Sequence, residues 1–541
     1  MPQWSLLLID MGIRRVRNRC DYATGWLDAS RGADGTWVVY ARSDSGAVTS
    51  ITSVAGTTTL SLDAAGRRAR VSTPSAEFGF GYCGWNGRLA ALTNASGFMV
   101  QYAHDTMDRV TNISWRTTSG ATIGGFAYDY DALGRITSRG HSLGGASFAR
   151  DYSYDDRDRL ASDGGVAYTY DAAGNRMTRT EDGETITYTL GVGDRLASWT
   201  GGAYTHDTAG NVTRIECDGG PMLDLTWNSQ YQLVSVATNG AFAERYAYDA
   251  LGRRVLTTTL EGMVRHIYDN NWQVIADIDE QGNVVASYVW GEGIDKLLAV
   301  TVGGVTYYAL TDIQGTVWGY VDSQNNVVAR WTYDAWGNVL SEYVAPSAAA
   351  LACLRYRFQG REWSAATGLT NFRMRWYDPE TGRWLSKDPI GLSGGLNLYA
   401  FCGNNPVYYQ DPYGRQIPVV ITWPNIIGPG KGPYWHHGGR SNRNKPLPLS
   451  PPVGDVWIKL PPWQSKYHDN GDSYPETKFI HPDGREAVYD GKTCELICDD
   501  DYAGTYNYVN PPVKGDGLWS HMWRSVGHFF SDMLPYYIWG N

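Results

Sequence analysis

Polar and apolar residues alternate in short runs over most of residues 21–345. Phe126-Ala-Tyr128-Asp-Tyr130 and Arg245-Tyr246-Ala-Tyr248 place their aromatics two apart, which lines one face of an extended strand. Each run stops at the same kind of sequence. Asp63-Ala-Ala-Gly66-Arg67, Tyr130-Asp131-Ala-Leu-Gly134-Arg135, Tyr170-Asp171-Ala-Ala-Gly174-Asn175, His206-Asp207-Thr-Ala-Gly210-Asn211, Tyr248-Asp249-Ala-Leu-Gly252-Arg253 and Tyr333-Asp334-Ala-Trp-Gly337-Asn338 share the frame aromatic-Asp-x-x-Gly-(Arg/Asn). Looser copies stand at Trp85-Asn86-Gly87-Arg88, Tyr154-Asp155, Gly193-Asp194-Arg195, Trp227-Asn228 and Tyr268-Asp269. Asp reads as the residue that closes its own turn through a side-chain oxygen, and Gly as the one that takes the positive φ of a tight reversal. Arg or Asn then starts the next strand, as in Arg135-Ile136 and Arg254-Val255. Steps of mostly about 16 to 26 residues give one hairpin per repeat, and neighbouring hairpins hide each other's edges. The expected fold is mainly β: a curled, continuous sheet of hairpins.

Composition agrees, with 63 Gly, 37 Tyr and 22 Trp in 541 residues, a mixture suited to turns and strands. The formal net charge is −10, so no whole-protein field attracts phosphate backbones, and nucleic-acid coating is excluded as the main role. Seven scattered cysteines argue against a disulfide-stapled scaffold and for a reducing compartment before any export. No run reaches the roughly 18 apolar residues of a membrane-spanning helix. The apolar stretch Trp4–Ile9 ends at Asp10 without a basic lead, so no signal peptide is seen. Residues 1–20 read as an atypical start on a longer ancestral chain.

The repeat letters are those of the YD repeat, and residues 21–415 resemble the C-terminal portion of an Rhs (rearrangement hotspot) or teneurin-like repeat protein. A denser block comes after the small-residue connector Ala345–Cys353: Arg355-Tyr-Arg-Phe-Gln-Gly-Arg-Glu362-Trp, Asn371-Phe-Arg-Met-Arg375-Trp-Tyr-Asp378-Pro, Gly382-Arg-Trp, Asp388-Pro-Ile-Gly391, Asn404-Asn405-Pro406 and Asp411-Pro-Tyr-Gly414. Residues 354–415 resemble the Rhs-associated core domain. The resemblance implies a β shell around a cargo, here an incomplete cocoon because the array is short. It also implies a core that plugs the shell and acts as an intramolecular aspartyl autoprotease, releasing the segment C-terminal to the last Asp-Pro-x-Gly. The matching residues are Arg375, Asp388 and Asp411. Two close carboxyls suit peptide hydrolysis because both cannot ionise together, so one takes a proton while the other gives one. A guanidinium beside them braces a carboxylate or the scissile carbonyl. The plain alternative is that Asp-Pro-x-Gly is an ordinary turn. Arg415 departs from the hydrophobic residue usual after the last Gly, which alters the pocket at the junction.

From Gln416 the statistics change: 15 of 23 prolines and six of ten histidines fall beyond it. Residues 416–462 read as a Pro-rich linker. Lys478–Asp490 reads as a hairpin turned at Asp483-Gly484. Ser520–Trp539 reads as a helix interrupted near Pro535. By resemblance, residues 416–541 are a variable toxin domain, a small α+β module. His528 and Asp532 share a helix face, where Asp orients imidazole as a general base, and His521, His481, Arg485 and Glu486 complete a candidate hydrolytic site for a phosphodiester or amide. The alternative is a helical polar pair. Cys494 and Cys498 with His481 have spacing compatible with a divalent metal such as zinc, but no second pair stands at finger spacing, and no cofactor is expected. His436-His437 with Asn442 is similar to the start of an HNH nuclease without its ββα surroundings. The implied partners are a cognate immunity protein, a secretion apparatus such as a type VI spike, and a macromolecule of the target cell, reached by delivery from the bacterial cytoplasm. The rival class is a structural or carbohydrate-binding cell-surface YD-repeat protein without enzymatic activity. The break in composition at 415 favours the toxin.

Overall fold

The computed structural model describes residues 17–20, 27–31, 36–83, 87–415, 419–420, 458–459, 477–480 and 486–489. From Trp37–Arg42 to Val339–Val344 the chain is one meander in which each strand pairs antiparallel with its neighbours in sequence. The sheet does not close into a barrel.

The framed turns explain the regularity. At Asp131, Oδ1 accepts the N–H groups of Leu133 and Arg135, both at 2.9 Å, and Oδ2 accepts Nε of Arg135 at 2.6 Å. Asp63, Asp105, Asp155 and Asp249 make the same clasp with an Arg four residues on. Asp171, Asp207, Asp279, Asp322 and Asp334 make it with an Asn. Arg135 was expected to open the next strand. Its side chain instead folds back onto Asp131, and the strand Ile136–Leu143 begins one residue later. The turn is fixed firmly enough that residues other than Gly occupy the left-handed position: Asp108, Asp158, Tyr231 and Trp272 take φ of 60 to 66° there.

A second bond keys each turn to the one before. The aromatic ahead of the Asp reaches the carbonyl just past the preceding clasp: Tyr130 to Val110 at 2.5 Å, Tyr154 to Ile136 at 2.6 Å, Tyr170 to Leu160 at 2.7 Å and Tyr333 to Val317 at 3.0 Å. Trp227 and Trp290 donate their indole N–H to Val212 and Val274 in the same way. Arg109, Arg135 and Arg159 lie over the rings of Tyr130, Tyr154 and Tyr170, 4.6 to 4.7 Å from the centroids, a favourable cation–π arrangement.

The sheet curls until two of its stretches face each other. Phe78 and Phe98 meet Tyr308, and Phe126 and His141 meet Trp318, with centroids 4.7 to 6.2 Å apart. Strand ends touch as well: Arg68 donates to the Gly291 carbonyl and Ala335 to the Asp163 carboxylate. One apolar core therefore joins Val71–Tyr168 and Tyr268–Trp336 to residues of the downstream block such as Tyr356, Phe372 and Trp384, and a second joins Tyr188–Tyr246 to Leu369, Trp376 and Leu385 of that block. Over these stretches the inner face is filled by side chains.

Residues 355–415 contain a small sheet, Glu362–Trp363, Thr370–Phe372, Arg375–Asp378 and Arg383–Trp384, reached through a 3-10 helix at Pro346–Cys353. The block lies across the ends of the hairpins and is fastened to their turns. Arg254 pairs with Glu362 at 2.5 Å, Arg355 with Asp277 at 2.9 Å, and Arg361 and Arg373 with Asp295 at 2.9 and 2.7 Å. Asn404 and Asn405 donate to the carbonyls of Gly174 and Asp158, each at 2.7 Å. Farther on, Ile458–Lys459, Thr477–Ile480 and Glu486–Tyr489 form a separate antiparallel sheet. Its second pair is the hairpin expected near Asp483-Gly484. The helix expected at 520–539 lies outside the described residues.

The clasp and the buried histidines each set a measurable stability. In Asp249→Ala, the N–H groups of Leu251 and Arg253 and the Arg253 guanidinium lose an acceptor in a buried turn. Urea unfolding should show a loss of about 2–3 kcal/mol, and a smaller loss for the exposed copy Asp279→Ala. Burial, with Arg139 nearby, pushes the His141 imidazole down to about 3, and burial with Arg355 pushes His266 down to about 4. The unfolded chain, with histidines near 6.5, takes up protons first. Stability is therefore full above about pH 6.5 and falls as pH drops toward the folded values, by at most about 1.4 kcal/mol per pH unit for each histidine. His141→Phe preserves the packing on Phe126 and Trp318 and should make the fall of the melting temperature between pH 6.5 and 4 shallower; an unchanged slope would show that His141 titrates normally.

Candidate active site

A tight hairpin places the first member of the site. Phe372 pairs with Arg375 across Arg373-Met374, with Arg373 at φ 61°, and the Met374 N–H donates to the Tyr413 carbonyl at 3.2 Å. Two Asp-Pro-x-Gly turns then converge on Arg375. In the first, Asp388 Oδ1 accepts the Ile390 N–H at 3.0 Å and its carbonyl accepts the Gly391 N–H at 3.0 Å. In the second, Asp411 Oδ1 accepts the Arg415 N–H at 3.1 Å and its carbonyl accepts the Gly414 N–H at 3.2 Å. The turn reading of these sequences is thus correct for both, and it leaves the second carboxylate oxygens to meet. Arg375 Nη2 lies 2.9 Å from Asp388 Oδ2 and 2.8 Å from Asp411 Oδ2.

Arg375, Asp388 and Asp411 are 2, 8 and 1% exposed, so the charges depend on one another. Burial pushes the Asp388 carboxyl up, Arg375 opposes this, and Asp411 adds to it. Arg375 Nε also donates to the Gly414 carbonyl at 2.5 Å, so the guanidinium touches both carboxylates and the peptide group that ends the turn. That arrangement can polarise a carbonyl while two carboxyls handle protons.

Three neighbours escaped the sequence reading. Trp384 lies flat against the Arg375 guanidinium, 4.0 Å from ring centroid to Cζ, and is held by Phe372 and Phe401 at 5.3 and 5.1 Å. Gly394 has no room for a side chain, because a Cβ there would stand 2.5 Å from Asp388 Oδ2. Cys402 is buried, and that burial, with Asp411 nearby, pushes its thiol well up, so it stays protonated rather than nucleophilic. The Gly-rich run Gly391–Gly395 was the available signal for close approach.

Most of the other expected site residues lie beyond what the structure describes. His481, Arg485, His521, His528 and Asp532 lie outside the described residues, as do His436, His437, Asn442, Cys494 and Cys498. Glu486 belongs to the strand Glu486–Tyr489. Among the described residues no three His, Cys, Asp or Glu side chains are grouped to hold a metal, and no helix is long and apolar enough to cross a membrane.

Comparison with known proteins matches this architecture. The chain is 32% identical over 205 residues to the tRNA3(Ser)-specific nuclease WapA of Bacillus spizizenii, covering 36% of this chain and 9% of that protein. It is 31% identical over 219 residues to the double-stranded DNA deaminase toxin A of Burkholderia cenocepacia, covering 35% and 15%. The chain thus spans less than a fifth of these relatives. A crystal structure of TcdB2-TccC3-Cdc42 shares the fold, with TM-score 0.60 and 20% identity over 70% of this chain and 22% of the other. The teneurin YD-shell model matches residues 84–407, more than half of the chain. The chain belongs to the teneurin YD-shell family.

Proposed function

We propose that this chain is the C-terminal portion of a toxin effector in which residues 354–415 cut the polypeptide at the end of the Asp411-Pro-Tyr-Gly414 turn, at the Gly414–Arg415 bond whose carbonyl Arg375 holds, and free the segment that carries residues 416–541. The observation that carries this is the single Arg375 nitrogen held between two buried carboxylates, with Nε on the Gly414 carbonyl. In this reading a water adds across the scissile peptide bond. One carboxylate takes the water's proton, the protonated partner delivers its own to the leaving amine, and the guanidinium stabilises charge on the carbonyl oxygen. No cofactor is needed. Relatives named as a nuclease and as a deaminase toxin support a toxic cargo, and the histidines of residues 416–541 suggest a hydrolase such as a nuclease. Delivery into a rival cell and a cognate immunity protein belong to the same reading. The sugar-binding alternative gains little, because the described exposed aromatics, Trp37, Tyr231, Phe242 and Tyr343, are spread along the chain while many of the other described aromatics are buried.

Expression of the full chain should yield two fragments on a denaturing gel, and Asp388→Asn with Asp411→Asn one band; a single band from the wild-type chain counts against the autoprotease reading. Full-length chain should arrest bacterial growth, while a chain ending at Arg415 should be harmless. Equal growth of both cultures counts against a toxic tail.

A further inference from the structure

Asp411-Pro-Tyr-Gly414-Arg415 has the same Asp-x-x-Gly-Arg spacing as the turns of the shell, and it shares with them the fifth-residue N–H bond and the left-handed glycine. The N–H of the fifth residue donates to Asp Oδ1 in both, at 3.1 Å for Arg415 and 2.9 Å for Arg135. Gly414 is left-handed at φ 64°, as Gly134 is at 82°. In the shell, the fifth residue's guanidinium also takes Oδ2, at 2.6 to 2.8 Å for Arg135, Arg67, Arg109, Arg159 and Arg253. At Asp411 it does not. Oδ2 belongs to Arg375, and the Arg415 guanidinium lies over the Tyr413 ring, 5.8 Å from its centroid. Asp388 has no such rival, since the fifth residue of its turn is Leu392.

We propose that Arg415 is a positioning residue that works against the self-cutting site, competing with Arg375 for Oδ2 of Asp411. When Arg415 makes the local clasp, as its counterparts in the shell do, Asp411 is drawn from Arg375 and Asp388 and the pair is broken. When Arg415 rests on Tyr413, the site is assembled. The rate of self-cleavage then depends on the balance between two guanidinium groups for one oxygen. The inference rests on the autoprotease reading and adds a residue that restrains it.

The same geometry sets a pH signature. Among the described residues, the charged or titratable groups facing Asp411 are Arg375, Asp388 and the Cys402 thiol, with the Arg415 guanidinium turned onto the Tyr413 ring beside them. At Asp63 the clasping Arg67 holds the carboxyl below its ordinary value, so Arg415 favours ionised Asp411. Removing that cation raises the apparent values of the carboxyl pair, and the pH optimum moves upward.

The test uses the full chain with Arg415→Met, which keeps an unbranched side chain and removes the charge, and with Arg415→Lys, which keeps the charge without the planar fork. Self-cleavage is monitored by denaturing gel and mass spectrometry between pH 4 and 8. Arg415→Met should cut about three- to fivefold faster, in keeping with the modest worth of a partly exposed ion pair, with its optimum at higher pH; Arg415→Lys should fall between it and the parent. A parent chain that stays whole while Arg415→Met is cut would support the inference most directly. Unchanged rate and optimum in Arg415→Met overturn it, as does slower cutting. If parent and Arg415→Met both stay whole, the inference falls together with the autoprotease reading, an outcome distinct from the two just named.

Discussion

Everything in the shell depends on how one carboxylate is used. An Asp at the start of each framed turn accepts backbone N–H groups on Oδ1 and a side-chain donor four residues later on Oδ2, so neither oxygen is left to find a partner elsewhere. The reversal is thereby fixed in length, and strand register with it. Because side chains alternate with period two, fixed register sends Phe126 and Tyr128 to the same side of the sheet. The aromatic preceding each Asp then reports the position of the previous turn through its hydroxyl or indole N–H. Local closure and neighbour-to-neighbour keying are separate bonds, and together they carry a regular meander through turns whose glycine has been replaced.

The downstream block is held differently. Besides the apolar residues it adds to both cores, its contacts with the shell include buried Arg–carboxylate pairs, among them Arg254 with Glu362 and Arg373 with Asp295. The Arg254, Arg355 and Arg361 cations outweigh burial and hold the Glu362 carboxyl far below the usual range. Such pairs offset their own desolvation only when geometry is good, and an apolar contact of equal volume often stabilises more. Their value here is orientation. A misplaced block would leave several charges buried and unpaired, whereas an apolar plug could settle at several angles. That orientation brings the Asp388 and Asp411 turns to Arg375, over a floor of Phe372, Trp384 and Phe401.

Much of this was legible in the chain. The spacing of Asp, Gly and aromatics predicts hairpins, and the turn role of each repeat Asp is found at Asp63, Asp131 and Asp249 alike. Arg375, Asp388 and Asp411, named through resemblance, do converge. What could not be read is where a polar side chain turns. Arg135 could extend into a strand or fold back on Asp131, and only the unmet oxygen of Asp131 decides. The stacking of Trp384 on Arg375 and the closeness of Gly394 to Asp388 join residues across different turns, and a linear pattern holds no record of such distances. The edge-to-face packing of Phe126 on Trp318, 192 positions later in the chain, is set by the accumulated twist and curl of many strands, which no single repeat encodes.

The shell and the candidate site are consequently two uses of the same turn. In both, Asp Oδ1 caps the backbone, which leaves the fate of Oδ2 as the difference. Where a donor stands four residues on, the carboxylate is neutralised locally: at Asp63 the Arg67 hydrogen bond holds the carboxyl below its ordinary value, and the group is structural. Where that donor is missing, as after Asp388, or turned away, as after Asp411, Oδ2 must find a distant partner or remain buried without one. Arg375 meets both demands with one nitrogen, which is why two carboxyls from separate turns meet at one guanidinium. A turn motif thus loses its own local clasp at these two positions, and the fold around it supplies the replacement partner.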